Sequence, residues 1–258
     1  MPAKVHVETF FKEVNRPVVW SPADHPDGYE APLHHHRRDQ LLYGASGVVI
    51  ATTPQGTWVM PPQRGMWIPA GVVHSVRMLG AVRTNSLYFE PGTVGSMPKH
   101  CQVVGISPFV RSLIAEAIAL PAEYDLDGRP GALMALLQHE MSRLPNLPLS
   151  LPFPAHPALA GRCRTFLRQP TVHDTIDAWS NALYMNRRTF TRLFRRQTGL
   201  SFAMWRQQAC LMAALPRLAA GEPITSIAMD LGYSNPAAFT SMFKRALGSS
   251  PRWYLQHN

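Results

Sequence analysis

Between residues 187 and 196 the chain reads RRTFTRLFRR, which places Arg187, Arg188, Arg192, Arg195 and Arg196 together with no acidic residue among them. Guanidinium groups offer planar arrays of donors that suit phosphates and base edges, and at this density they favour a polyanionic partner. A charge run is usually a solvated helix face, but such faces mix signs and this one does not. Charge along the rest of the chain agrees. Residues 151–258 hold 13 Lys+Arg against 4 Asp+Glu, whereas residues 1–150 hold 12 of each. The formal net charge of +9 is therefore confined to the C-terminal part. A soluble protein of high isoelectric point would satisfy the charge alone; the clustering points to a polyanion-binding end.

The elements that must carry these arginines are readable from helix punctuation. A short helix is predicted over Thr175–Leu183, a turn at Tyr184-Met185-Asn186, and a second helix over Arg187–Thr198. Asn186 is a cap for its first turn, and Gly199 suits the left-handed residue that ends it. Phe190, Leu193 and Phe194 recur at i, i+3 and i+4 and should face inward, turning Arg188, Thr191, Arg192, Arg195 and Arg196 elsewhere. The scheme repeats. Ile224–Leu231 precedes Gly232, Asn235 caps a helix opened by Pro236, and Phe239, Met242 and Phe243 form the same inward set before Gly248. Two copies of helix, turn and capped helix describe a tandem helix-turn-helix.

With TFTRLFRRQTGLSF in the first copy and ITSIAMDLGYSNPAAFTSMFKRALGSSPRWY in the second, the segment 175–254 resembles the DNA-binding domain of AraC/XylS-type transcription regulators. The resemblance implies seven helices, a long one (about Ser201–Ala220) joining two units, and recognition helices entering successive major grooves about 34 Å apart. Pro216 falls inside that long helix, so a kink, or an end near Leu215 and a restart, is expected. The positions matching the family's base-reading face are Arg188, Thr191 and Arg192, with Arg187, Arg195 and Arg196 on phosphates. In the second unit they are Pro236, Ala237, Ala238 and Ser241, with Lys244 and Arg245 as phosphate grips. The first unit should supply most base specificity and the second mainly position it.

The N-terminal part reads as β-rich. QLLYGASGVVIATT suits two strands and a tight turn at Gly44 and Gly47, TPQG and PPQRG mark further turns, and HSVRML and VRTNSLYF suit further strands. Many short strands argue for a small barrel or sandwich. From Ser107 the period changes. SPFVRSLIAEAIALP places Phe109, Leu113, Ile114, Ala117 and Ile118 near one helix face, and GRPGALMALLQHEMSRLP offers Leu133, Leu136, Leu137, Met141 and Leu144. These helices carry more apolar surface than a lone hairpin hides, so they pack on the β region or form a dimer interface. The proline-rich run LPNLPLSLPFPAHP should be a stiff, extended linker.

LHHHRRDQLLYGASG, with His34, His36, Gln40 and Gly47, and IPAGVVH, with Pro69, Gly71 and His74, resemble the two motifs of the cupin barrel, a small jelly roll around a pocket. In metal-binding cupins the ligands would map to His34, His36, Gln40 and His74. Three imidazoles and an oxygen suit zinc, iron, manganese or nickel. Gln40 replaces the usual carboxylate, which weakens such a site, so a pocket of neutral histidines fits the pattern as well. Tyr43, Trp67 and Tyr88, with His74, would wall the pocket, although core packing serves each of those aromatics equally.

The expectation is an α+β protein. A cupin-like, jelly-roll β-barrel sensor occupies 1–100, a helical pair 101–144, a linker 145–157, and an all-α domain of two helix-turn-helix units 158–258. It would be a sequence-specific transcription regulator controlled by a small molecule or metal in the barrel. Its partners would be double-stranded DNA, the effector, a second copy of itself and RNA polymerase. A subgroup likeness to NimR-type regulators in WRQQACLMAALPRLAAGEPITSIAMDLGY suggests an efflux or transport gene as target. No cofactor is certain, and a divalent transition metal is the candidate. The alternative is a metal-dependent cupin enzyme with an accessory DNA domain; Gln40 and the lack of a paired acid and base count against it. A non-specific DNA-compacting protein is a third reading. MPAKVHVETFFKEV lacks the apolar core of a signal peptide, no run suits a membrane helix, and Cys101, Cys163 and Cys210 make no disulfide framework, so a cytoplasmic protein is expected.

Overall fold

The computed structural model describes residues 14–95 and 97–256. The segment read as unlike a signal peptide lies, apart from Val14, outside the described residues. The strands are β1 (Val18–His25), β2 (Glu30–His34), β3 (Asp39–Thr53), β4 (Gly56–Met60), β5 (Arg64–Ile68), β6 (His74–Phe89), β7 (Gln102–Gly105), β8 (Asn146–Leu147) and β9 (Ser150–Pro152). The helices are α1 (Pro108–Ile118), α2 (Arg129–Met141), α3 (Pro157–Phe166), α4 (Ile176–Ala182), α5 (Arg187–Thr198), α6 (Phe202–Ala219), α7 (Ile224–Asp230), α8 (Pro236–Leu247) and α9 (Pro251–Gln256). Contacts divide the chain into two units, Met1–Val49 with Pro62–Leu147, and Ile50–Pro61 with Pro148–Asn258.

In the first unit the strands follow the order β1-β6-β3-β5-β7-β8, with β2 also on β6. The path ends at β1 and β8, which do not pair, so the sheet is open. This overturns the expected cupin-type barrel: closure requires the end strands to bond with a fixed stagger. The physical reason lies on one face of the sheet. Leu41, Tyr43, Trp67, Leu87, Phe89 and Val104 pack there against Val110, Leu113, Ile114 and Ala117 of α1 and Met134, Leu137 and Met141 of α2. The helices cover the apolar face, and the sheet has no need to curl onto itself.

One expected turn is absent, and two segments read as separate strands are one. QLLYGASGVVIATT is a single fifteen-residue strand, β3. Gly47 has φ 67°, and a Cβ there would meet Val82 Cγ2 at 2.5 Å and the Ala81 carbonyl at 2.9 Å. The glycine therefore serves a close approach of β6 rather than a chain reversal. HSVRML and VRTNSLYF likewise merge into the sixteen-residue β6. On α1 the buried stripe is Val110, Leu113, Ile114 and Ala117, while Phe109, expected on that face, is 53% exposed. On α2 Met134, Leu137 and Met141 are buried and Leu136 is exposed. The proline-rich segment is extended, and both its short strands are paired: Leu147 of β8 opposes Val103 of β7, and β9 pairs with β4 from Gly56↔Pro152 to Trp58↔Ser150.

In the second unit α3–α9 make seven helices among the described residues. Trp179, Phe190, Phe194, Phe202 and Trp205 form one aromatic core, with Trp179 and Phe202 rings 4.8 Å apart. The indole of Trp179 donates to Asp174 Oδ2 at 2.6 Å, and that of Trp205 to the Pro152 carbonyl at 3.0 Å, so both buried N–H groups are satisfied. Helix α6 runs unbroken from Phe202 to Ala219 with Pro216 inside it, so the expected end and restart near Leu215 does not occur. Pro216 lacks the N–H that would bond the Met212 carbonyl, yet the helix continues past it to Ala219. No described helix is long and apolar enough to cross a membrane. Cys101, Cys163 and Cys210 are each buried, and no disulfide joins them.

Candidate functional site

The arginine cluster lies on α5, and the fold explains why it faces solvent. The Thr189 amide donates to Asn186 Oδ1 at 2.8 Å, which fixes the start of the helix, and Gly199 ends it with φ 74°. Phe190 and Phe194 are fully buried, which rotates Arg187, Arg188, Thr191, Arg192, Arg195 and Arg196 to the exposed side. Arg187 is partly engaged, with Nη1 3.2 Å from Asp177 Oδ2 on α4. The Thr191 hydroxyl donates to the Arg187 carbonyl at 2.8 Å and keeps its lone pairs and methyl for a partner. The other four arginines of this helix carry no salt bridge among the described residues. Tyr184, in the turn before α5, is fully exposed with φ 53°, whereas its counterpart before α8 is Gly232 with φ 82°.

Helix α8 repeats the frame. The Ala238 amide donates to Asn235 Oδ1 at 2.8 Å, Gly248 closes the helix with φ 78°, and Phe239, Met242 and Phe243 are buried. Ala237, Ser241, Lys244 and Arg245 are exposed.

In the first unit strand alternation decides which candidates meet. Gln40, Ser86, Tyr88, His36 and His74 belong to one polar group, while Tyr43 and Trp67 belong to the core packed against the helices. The four candidate pocket-wall residues therefore do not share one cavity. One nitrogen from each of His34, His36 and His74 lies within 4.8 Å of the others, and His36 and His74 are buried. His34 Nδ1 is 2.7 Å from the Pro32 carbonyl and His74 Nδ1 2.9 Å from that of Val72. His36 Nε2 is 2.8 Å from Gln40 Oε1, while the Gln40 amide donates to Ser86 Oγ and Tyr88 Oη. Carbonyl oxygens only accept, so each ring donates an N–H there. Gln40 thus orients His36. Burial, reinforced by His74, His34 and His35, pushes His36 down to about 3. Burial brings His74 down to about 4, with the Val72 carbonyl opposing and His34 and His35 adding. A cluster of three imidazoles this close could hold a metal ion.

Tyr43 instead faces a cavity of about 590 Å³ between the sheet and α1, whose walls include Asn85, Arg111, Ile114 and Ile118. Burial raises its phenol above the ordinary range against the nearby positive charges of Arg111 and Arg64. The sequence reading missed Asn85, Arg111 and Ile118 as site residues. No motif marks them, because they meet only when a strand face and a helix pack together.

Two helix-turn-helix units, each presenting exposed cations from a capped helix, define a DNA-binding transcription regulator. A family profile described as a helix-turn-helix domain matches residues 179–257, and one described as an AraC-like ligand binding domain matches residues 21–146. The chain is 33% identical to the HTH-type transcriptional regulator NimR of Escherichia coli (strain K12) over 229 residues, which cover 89% of this chain and 84% of that protein. It is 30% identical to the HTH-type transcriptional regulator RipA of Corynebacterium glutamicum over 111 residues, 42% of this chain and 32% of that one. The solved structure of ToxT from Vibrio cholerae O395 overlaps 93% of this chain and 97% of its own, at 10% identity and a TM-score of 0.39, too loose for any inference. The chain belongs to the AraC family of HTH-type transcription regulators.

Proposed function

We propose that this protein is a ligand-responsive regulator that reads DNA chiefly through α5. The observation that carries this is the pair of capped helices α5 and α8, alike in their buried sets, of which only α5 exposes arginines in its first two turns. Arg188, Thr191 and Arg192 are the base readers, with arginine bidentate to guanine. Arg187, Arg195 and Arg196, with Lys244 and Arg245, hold phosphates, and Ala237 and Ser241 contribute close fit. The AraC-like N-terminal region supplies the response to a small molecule, and the family likeness favours regulation over catalysis. Exposed Phe109 and Leu136 support a second copy as partner of α1 and α2.

The test is the affinity for DNA upstream of its own gene against random DNA at physiological salt. A regulator should show a ratio of about 10³ or more. A ratio near one would leave a non-specific DNA-coating protein.

A second observation, the three histidines with converging nitrogens, supports a divalent transition metal at His34, His36 and His74. Protein purified without a histidine tag should carry about one such ion per chain, and His74→Ala should lose it. A metal-free wild type would leave the cluster as a buried polar network.

A further inference from the structure

The cavity beside Tyr43 is unlike the rest of the first unit. Part of its lining is apolar, formed by Ala45 of β3 and by Ile114 and Ile118 of α1. Three polar groups converge on this lining. Among the described residues the Tyr43 hydroxyl has no hydrogen-bond partner, although Tyr43 is only 4% exposed. Asn85 shares its face of β6 with buried Leu87 and Phe89, and its amide likewise has no partner among the described residues. Arg111 donates from Nη1 to the neutral Gln63 Oε1, and its Nε is buried without a partner. Arg111 Nε is a buried donor left open, which costs about 1–3 kcal/mol, so a folded protein that keeps it beside an open phenol and amide has a use for it.

The charge balance narrows that use. Asp24 and Arg83 at the rim neutralise each other, with Nε and Oδ1 2.8 Å apart. Arg111 has no salt bridge among the described residues. The lining thus combines a guanidinium without a salt bridge among the described residues, a phenol and an amide with aliphatic side chains. A volume of about 590 Å³ lies within the range of small-molecule sites.

We propose that this cavity is the effector site and that it takes a small organic monocarboxylate. The carboxylate accepts from Arg111, Tyr43 and Asn85, and the apolar body lies along Ala45, Ile114 and Ile118. The inference rests on the reading of the protein as a ligand-responsive regulator, and it locates the response between the sheet and α1. Occupancy would bias how α1 seats on the sheet, which is how a ligand in this place acts on the rest of the chain.

The test titrates the full-length protein by calorimetry with octanoate and 4-phenylbutyrate, and with octan-1-ol and 4-phenylbutan-1-ol as uncharged controls. At least one acid should bind about ten-fold or more tightly than its alcohol, since a charge-assisted pair at a desolvated guanidinium favours the anion. Arg111→Met keeps the aliphatic stem and should erase that preference while leaving the alcohol's affinity in place. Ile118→Trp fills space beside the apolar lining and should weaken acid and alcohol alike. Melting curves of both variants show that they are folded. Equal binding of acid and alcohol, no binding of either acid up to about 10 mM, or a preference that survives in folded Arg111→Met would each overturn the proposal. Operator affinity is measured on the same preparation without ligand. Specific operator binding with no acid bound removes the cavity assignment and leaves the regulator; acid binding without specific operator binding removes the regulator and leaves the cavity.

Discussion

Helices α5 and α8 are each twelve residues long, begin at an asparagine that accepts an amide at 2.8 Å, and end at a left-handed glycine. Each buries phenylalanine at the same two positions, Phe190 and Phe194 in one, Phe239 and Phe243 in the other. Their surfaces share little. The first two turns of α5 expose Arg187, Arg188, Thr191 and Arg192, and the same turns of α8 expose Ala237 and Ser241. Caps and buried rings decide that a helix forms and how it is rotated. The exposed residues decide what it can grip, and these two sets vary independently. One scaffold has been used twice, once with exposed arginines and once with small exposed side chains.

That comparison can be broken most forcefully at the shared frame. Phe190→Ala and Phe239→Ala should each destabilise the C-terminal unit by about 3–5 kcal/mol, because both rings are fully buried. Urea unfolding measures this, and a much smaller loss at one position would show that the two units are not equivalent scaffolds.

The next largest effect separates the surfaces. Arg192→Ala should cost about 1–3 kcal/mol of discrimination at one base pair. Ser241→Ala should leave the preference almost unchanged. Binding selection from a randomised operator reads both at once, and equal losses would sink the division of labour.

The smallest effect returns to the frame. Asn186→Ala and Asn235→Ala should each cost about 1 kcal/mol of stability by releasing one capping bond. Thermal melting of the two variants should give similar shifts, and a shift at only one would mean that tertiary contacts hold the other helix start.

The C-terminal unit was legible because its signals are local. A cap, a glycine and an i, i+3, i+4 set all fall within a dozen residues, and the boundaries of α5 and α8 follow from them. Pro216 suggested a kink or an end near Leu215; the end does not occur, because Leu211, Met212, Ala214, Leu215 and Leu218 are all buried and their packing offsets the bond that proline removes. The N-terminal unit was less legible. Gly44 and Gly47 resemble a turn in sequence, but whether a glycine reverses the chain or admits a neighbouring strand depends on Val82 and Ala81, more than thirty residues away. The motif residues His34, His36 and His74 do lie together, as the cupin resemblance implied. The barrel around them does not form, because closure is a property of the end strands β1 and β8, which carry no motif.

By itself the sequence determined the helix caps and turns of the C-terminal unit, its cationic face and the family to which the chain belongs, since these depend on residues within a turn or two of one another. Only the tertiary structure decided that the sheet stays open, that Gln40 stands behind His36, and that Tyr43, Asn85 and Arg111 share a cavity. Those outcomes depend on which face of a strand meets which helix. That is set by packing between segments distant in the chain, and no local pattern encodes it.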